Sequence, residues 1–495
     1  MLAARTAEGN TAPGYERHRP ERTLLYQIIK KHYPDFLSEM EAQDRALPSY
    51  VQDEFEAFLE CGRLENGFLR VCCEDCKHEH LVAFSCKKRG ICPSCGARRM
   101  AESAALLVDD VFPREPIRQW VLSFPFQLRF LFASYPVLMG KVLGIVYRSL
   151  ATHIIHKAGF TKSTAYTGAV TLIQRFGSAL NLNIHFHMMY LDGVFAEDAY
   201  GKIRFHRIKA PTGNELAVLV HRISQRVAKF LQRRGFLEAD EQGSYLSLET
   251  SEDEAMQQLY GHSITYRIAI GPNQGKKVFT LQSLPPAKES KAGSSRVAKV
   301  TGFSLHAGVM AEAHQRDKLE RVCRYITRPA ISEKRLSLLE DGRIRYELKT
   351  PYRDGTTHVF FGPLDFLARL AALVPRPRVN LTRFHGVFAP NSKHRIQVTP
   401  SKRGKGRKKD TDEEGQCPSP AERRASMSWA QRLKRVFDID IEVCSKCGGA
   451  VKVIACIEDP VVIKKILTHL DKKAALNDPI VLSQPRAPPQ ASLFD

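Results

Sequence analysis

The chain has 495 residues, 43% of them hydrophobic, enough to bury a sizeable core and on length alone to form roughly two to four domains. Lysine and arginine total 74 against 53 acidic residues, and the balance of +21 favours a polyanionic partner, nucleic acid first, without separating DNA from RNA. The opening MLAARTAEGN has no apolar core of signal-peptide length, so export is not expected and a cytoplasmic location is. The most apolar region, residues 120–155, is interrupted by Gln127, Arg129, Lys141 and Arg148, so no membrane span is expected.

Residues 21–60 predict two helices, because LLYQIIKKHY and VQDEFEAFLE carry apolar residues at spacings of three and four. Seven of the twelve cysteines follow, between Cys61 and Cys95, and in a reducing compartment metal explains such a cluster better than disulfides do. Cys73 and Cys76 form one two-residue-spaced pair, Cys92 and Cys95 another, with 15 residues between the pairs, and this spacing predicts a four-cysteine structural Zn²⁺ site. Gly96 suits a sharp bend after the second pair, and Lys87, Lys88, Arg89, Arg98 and Arg99 either offset the thiolate charge, reach DNA, or form a solvated face. Cys61, Cys72, Cys86, His78 and His80 are left as core thiols and surface histidines, or as part of a second site.

IRQWVLSF at 117–124 alternates like a strand, a helical region covers about 133–157, and AVTLIQRF and LNLNIHFHMMYL read as two strands joined through Gly177 and Ser178. In the second of these, side chains alternate faces, so Leu182, Ile184, Phe186 and Met188 share the core side while Asn183, His185 and His187 share the other. Two imidazoles about 7 Å apart along a strand can converge on one ion or phosphate; a half-buried strand that merely carries histidines is the bland alternative. Beyond it, ITYRIAI and KKVFTLQSL flank GPNQG as a hairpin, and IRYELKT with THVFFG predicts another. A helix is expected within residues 312–332, with Leu319, Val322, Cys323 and Ile326 as its apolar stripe, Tyr325 at the stripe's edge between Arg324 and Arg328, and Pro329 ending it.

Residues 399–427 change to a charged, Gly-, Ser- and Pro-rich composition and read as a basic flexible linker. After it, WAQRLKRVF and PVVIKKILTHL read as helices around VCSKCGGAVKVIACI, in which Cys444 and Cys447 make half a metal site that Cys456 and His469 could complete. No Gly-rich Lys-Ser/Thr phosphate loop is present in the sequence.

The combination of CKKRGICPSCGARR, IHFHMMYLDGVF, GFSLHAGV, LERVCRYITRPAIS and NLTRFHGVFAPNSK resembles the rolling-circle transposases of the insertion sequence 91 family, most closely the branch associated with common-region elements, over residues 20–475. The resemblance implies an HUH endonuclease, an α+β fold whose antiparallel sheet carries the histidine strand near its centre with the tyrosine helix packed across it. It implies that His185 and His187 hold a divalent cation, Mg²⁺ or Mn²⁺, that His306 of the SLHA motif is the third ligand, with Gln174 and Asp192 behind it, and that Tyr325 is the nucleophile, aided by Arg324 or Arg328. Relatives with a second tyrosine four residues away differ here, where Arg321 and Pro329 stand, so a single-tyrosine enzyme is implied.

The expected organisation is an N-terminal helical segment (1–45), a zinc-ribbon-like module (46–108), the catalytic domain (109–335), a β-hairpin and helix extension (336–398), the linker (399–427), a C-terminal helix and cysteine knuckle (428–475) and a tail (476–495). The implied activity is nicking and rejoining of single-stranded or hairpin DNA ends through a 5′-phosphotyrosine. A non-catalytic zinc-containing DNA-binding regulator and a rolling-circle replication initiator are the alternatives.

Overall fold

The computed structural model describes residues 19–239, 244–246, 254–285, 297–402, 444 and 446–475; the basic linker beyond residue 402, the helix expected in WAQRLKRVF and the tail at 476–495 lie outside them. The two expected N-terminal helices are α1 (Leu24–Glu41) and α2 (Ser49–Glu60). Thr23 caps the first by accepting from the Tyr26 amide at 3.2 Å, and their apolar faces meet where Tyr33 stacks on Phe55, ring centroids 4.8 Å apart. A hairpin, β1 (Phe68–Cys73) and β2 (Glu79–Ala83), leads to α3 (Pro93–Ala105) and a π-helical turn (Leu106–Val111).

The middle of the chain runs β3 (Ile117–Ser123), α4 (Phe126–Ser134), α5 (Pro136–Lys157), β4 (Ala165–Tyr166), β5 (Gly168–Phe176), β6 (Leu182–Leu191), β7 (Gly193–Glu197), β8 (Ile203–Arg207) and α6 (Gly213–Arg233). It continues with β9 (Leu237–Ala239), β10 (Ser244–Leu246), α7 (Glu254–Ile264), β11 (Phe279–Gln282), β12 (Val297–Val300), β13 (Phe303–Ala311) and α8 (Arg316–Thr327). The last described elements are β14 (Leu336–Leu338), β15 (Ile344–Glu347), β16 (Thr356–Phe361), α9 (Pro363–Leu373), β17 (Thr382–Gly386), α10 (Arg395–Val398), β18 (Val451–Ile457) and α11 (Pro460–Ala475).

The fold is α+β. Its centre is an antiparallel six-stranded sheet in the order β12-β13-β3-β6-β5-β17, so the histidine strand β6 is interior, and the edge strand β17 comes from far along the chain. On one face Ile184, Phe186, Met188 and Tyr190 join Trp120 and Leu122 in a large core shared with α4, α5, α6, α7 and α9. The other face is not the solvated side its polar residues suggest. Met189, Leu191, Val170 and Leu172 pack there against Leu319, Cys323 and Ile326 of α8, so β6 is buried on both sides over its second half.

The sequence pattern failed at one hairpin. Residues on either side of GPNQG make only the isolated bridge Arg267–Lys277, and β11 pairs instead with β16 in the four-stranded sheet β11-β16-β15-β14. The preceding helix accounts for this: α7 runs on to Ile264, and the Thr265 and Arg267 amides donate back to the Gly261 and His262 carbonyls at 3.1 and 2.9 Å, so the first residues of the expected strand belong to the end of the helix. The second expected hairpin is present as β15 and β16. Helix α5 is long and apolar enough to cross a membrane despite Lys141 and Arg148, contrary to expectation; here Val142, Leu143, Val146, Leu150 and Ile154 spend that apolarity in the protein core.

Candidate metal centres and active site

Two groups of four cysteines converge, and neither is the group that spacing predicts. Cys92 and Cys95 meet Cys61 and Cys86, whereas Cys73 and Cys76 meet Cys444 and Cys447. The hairpin explains the regrouping. Cys61 and Cys86 flank its base, where the Gly62 amide donates to the Phe84 carbonyl at 2.9 Å, while Cys73 and Cys76 lie at its tip. Strand β1 alone places roughly 17 Å between base and tip at about 3.3 Å per residue, too far for one ion.

In the base cluster the sulfurs of Cys61 and Cys95 are 3.7 Å apart, those of Cys86 and Cys95 3.5 Å, and those of Cys61 and Cys92 3.7 Å. A tetrahedral zinc with bonds of about 2.3 Å has sulfur–sulfur edges of about 3.8 Å, so the four thiolates fit that ion. Backbone amides point at the sulfurs as in a metal knuckle, Cys86 N to Cys61 at 3.3 Å and Cys95 N to Cys92 at 3.5 Å. Cys92 is also the N-cap of α3, so the cluster fixes the start of a helix. That helix packs against α8, and a Cβ on Gly96 would come within 2.8 Å of the Pro329 side chain. Close helix approach, rather than a bend, is what this glycine permits. Several neighbouring cations are held internally: Arg89 donates to the Val379 carbonyl at 2.9 Å, Arg99 to the Lys87 carbonyl at 2.6 Å, and Arg98 pairs with Glu102 at 3.3 Å.

On β6 the rings of His185 and His187 lean together, centroids 4.8 Å apart, closer than their backbone spacing. His185 Nδ1 lies 2.8 Å from the Asn183 carbonyl, which can only accept, so the proton sits on Nδ1 and Nε2 keeps its lone pair. His187 Nδ1 lies 2.8 Å from the Gln119 amide, and its Nε2 is buried with no hydrogen-bond partner among the described residues. Burial, with Arg328 and Arg129 adding to it, holds His185 down at about 4; burial, then His185 and Arg328, pushes His187 well below its ordinary value. Both imidazoles are therefore neutral at pH 7, the form that ligates metals, and a buried nitrogen lacking a partner is what a metal ligand looks like without its ion.

Gln174 stands opposite His185 on β5, and its side-chain amide donates to the Ile326 carbonyl at 3.0 Å, which ties the histidine row to the residue after Tyr325. Tyr325 itself lies near the C-terminal end of α8. The Arg328 guanidinium sits 4.1 Å from the centre of its ring and donates to its carbonyl at 2.6 Å, and the Lys349 ammonium is 4.5 Å from the same ring. Arg328 thus faces the tyrosine and contributes to the electrostatics of both histidines. Arg324 points elsewhere, pairing with Glu320 at 4.0 Å.

The remaining ligand candidates divide. His306 pairs with Val121 and Val121 with His187, so His306 shares the histidine face from two strands away, about 10 Å across the sheet. Among the described residues no His, Cys, Asp or Glu completes a ligand-spaced trio with His185 and His187. Asp192 is held by Arg118 through two bonds of 2.6 and 2.7 Å, with both side chains almost fully buried, and a third Arg118 bond reaches the Ala307 carbonyl at 3.1 Å. That carbonyl lies where the β13–β3 register slips by one residue after His306, so Asp192 serves a β-bulge. Sequence reasoning missed Lys349, Asn183 as a partner of its neighbour, and Gln119. The alternation of β3, which puts Gln119 on the face of Val121, was the available signal for the last.

Comparison with family models locates both parts. Residues 28–124 match the family "Transposase zinc-binding domain", a span holding Cys61, Cys86, Cys92 and Cys95, and residues 168–395 match the family "Putative transposase", a span holding His185, His187, His306 and Tyr325. Comparison with curated proteins and with solved structures gives no match. A zinc-binding module joined to this α+β domain defines a DNA transposase. The chain belongs to the insertion sequence 91 family of transposases.

Proposed function

We propose that this transposase is an HUH-type endonuclease that nicks and rejoins single-stranded or hairpin DNA at the ends of a mobile element, by rolling-circle transposition, with Tyr325 as its single nucleophile. The observation that carries the reading is the placement of Tyr325 on the helix that covers the histidine face, latched to that face by Gln174 and shared with it through Arg328. The Tyr325 hydroxyl oxygen attacks phosphorus, its proton leaves, and the bond to the 3′ oxygen breaks, giving a 5′-phosphotyrosine and a free 3′ hydroxyl. A later attack by a 3′ hydroxyl reverses these bonds, so rejoining needs no nucleotide triphosphate.

A divalent cation, Mg²⁺ or Mn²⁺, held by the Nε2 atoms of His185 and His187 with Gln174 Oε1 or His306 as a further donor, would withdraw charge from the non-bridging phosphate oxygens. Ligation by His187 asks the Gln119 amide to turn its oxygen to Nδ1, a change of orientation that leaves its shape unaltered. Arg328 and Lys349 place two positive charges against the ring from which the phenol proton departs, and they favour a phosphate beside it. Tyr325→Phe should bind a single-stranded end oligonucleotide as wild type does and form no covalent adduct, even with Mn²⁺. An undiminished adduct would remove Tyr325 from the reaction; binding by wild type with no cleavage under any metal would instead fit a non-catalytic regulator.

A further inference from the structure

The tip of the β1–β2 hairpin meets the far end of the chain. Cys73 Sγ lies 3.5 Å from Cys447 Sγ and Cys76 Sγ 3.6 Å from Cys444 Sγ, and all four sulfurs lie within 4.8 Å of one another. We infer that these four cysteines hold a second structural zinc, which staples the C-terminal segment to the N-terminal zinc-binding domain. Both family-model matches leave Cys444 and Cys447 outside their spans.

Three independent features prepare this site. Each pair forms a knuckle with left-handed backbone just after it, at Lys77 and at Gly448, and the Lys446 and Gly449 amides point at Cys444 and Cys447 at 3.5 and 3.4 Å. The two knuckles are packed to contact: a Cβ on Gly449 would overlap the Asp75 carboxylate, and the Glu74 amide donates to the Ala450 carbonyl at 2.9 Å. Finally, β18 adds to β1 as a third antiparallel strand along its full length, and Lys452 pairs with Glu74 at 3.1 Å.

The donor set decides the ion. Four thiolates at tetrahedral spacing suit zinc, and neither Cys456 nor His469 is needed to complete the shell. The consequence is topological: the ion ties the C-terminal strand β18 and helix α11 to the N-terminal hairpin, and α11 lies beside the turn at Leu64–Asn66 that leads into that hairpin.

Native mass spectrometry of the full-length protein tests this. Wild type should carry two zinc ions. Cys73→Ser/Cys76→Ser and Cys444→Ser/Cys447→Ser should each carry one, and all four changes combined should still carry one, because both pairs serve the same ion. A wild type with one zinc, a Cys444→Ser/Cys447→Ser protein with two, or a combined variant with none would overturn the inference. A second measurement does not rely on the count. With a protease site introduced between residues 403 and 443 and cut, the C-terminal fragment should co-elute with the remainder of the wild-type chain and separate from it in the Cys444→Ser/Cys447→Ser background; co-elution in both backgrounds would count against the staple.

Discussion

Arg118→Met removes the most deeply buried cation of the central sheet. Its guanidinium makes two bonds to Asp192 and one to the Ala307 carbonyl, and the two side chains of the pair are 3% and 2% exposed. The substitution leaves a buried carboxylate and a bulge carbonyl with no donor in that place, and breaking such a pair costs about 3–5 kcal/mol. Replacing both partners, as in Arg118→Met/Asp192→Leu, removes the stranded charge and leaves only the carbonyl, for which about 1–3 kcal/mol is expected. Urea unfolding followed by tryptophan fluorescence reads the difference, since Trp120 lies two residues along β3 in the core. The single variant should be less stable than the double by about 2 kcal/mol. A single variant within about 0.5 kcal/mol of wild type, or a double variant worse than the single, would refute the assignment of this pair as the clamp of the bulge beside His306.

Three further outcomes follow from the same geometry. His187→Ala should lose the rise in melting temperature that Mn²⁺ gives wild type, an effect of about 3 kcal/mol at a hundredfold excess over Kd; an unchanged rise places the cation elsewhere. Gly96→Ala brings a methyl against Pro329 and should destabilise the α3–α8 contact by about 1–3 kcal/mol while slowing nicking and sparing DNA binding, as a titration and an adduct time course would reveal. His385, stacked on Tyr147 at 4.6 Å and held down at about 4 by burial and then by Arg383, is neutral in the fold. Its depressed value means stability that is present above pH 6.5 and lost as pH falls towards 4, about 3 kcal/mol in all, so His385→Phe should flatten that decline in unfolding measured from pH 7 to pH 4.5.

Local pattern made the helices around Leu24–Glu41 and Arg316–Thr327, the strand carrying His185 and His187 and the second hairpin legible, because each shows its period within ten or so residues. What lay beyond it was long-range. The pairing of Cys73 and Cys76 with Cys444 and Cys447 joins residues about 370 positions apart, and spacing favoured the nearer Cys92 and Cys95 because it carries no record of the hairpin between them. The period-two pattern of β6 correctly put both histidines on one face, yet the cover over that face comes from α8, which no reading of β6 alone contains. Lys349 reaches the Tyr325 ring from the bend two residues past β15, and its neighbours in sequence give no sign of that role.

Which atom joins the DNA decides the mechanism. Wild-type protein incubated with Mn²⁺ and a single-stranded end oligonucleotide, digested with protease and nuclease and examined by peptide mass spectrometry, should yield one nucleotide-modified peptide with the 5′ phosphate on Tyr325. A phosphate carried by any other residue, or a linkage through the 3′ end of the strand, would contradict it.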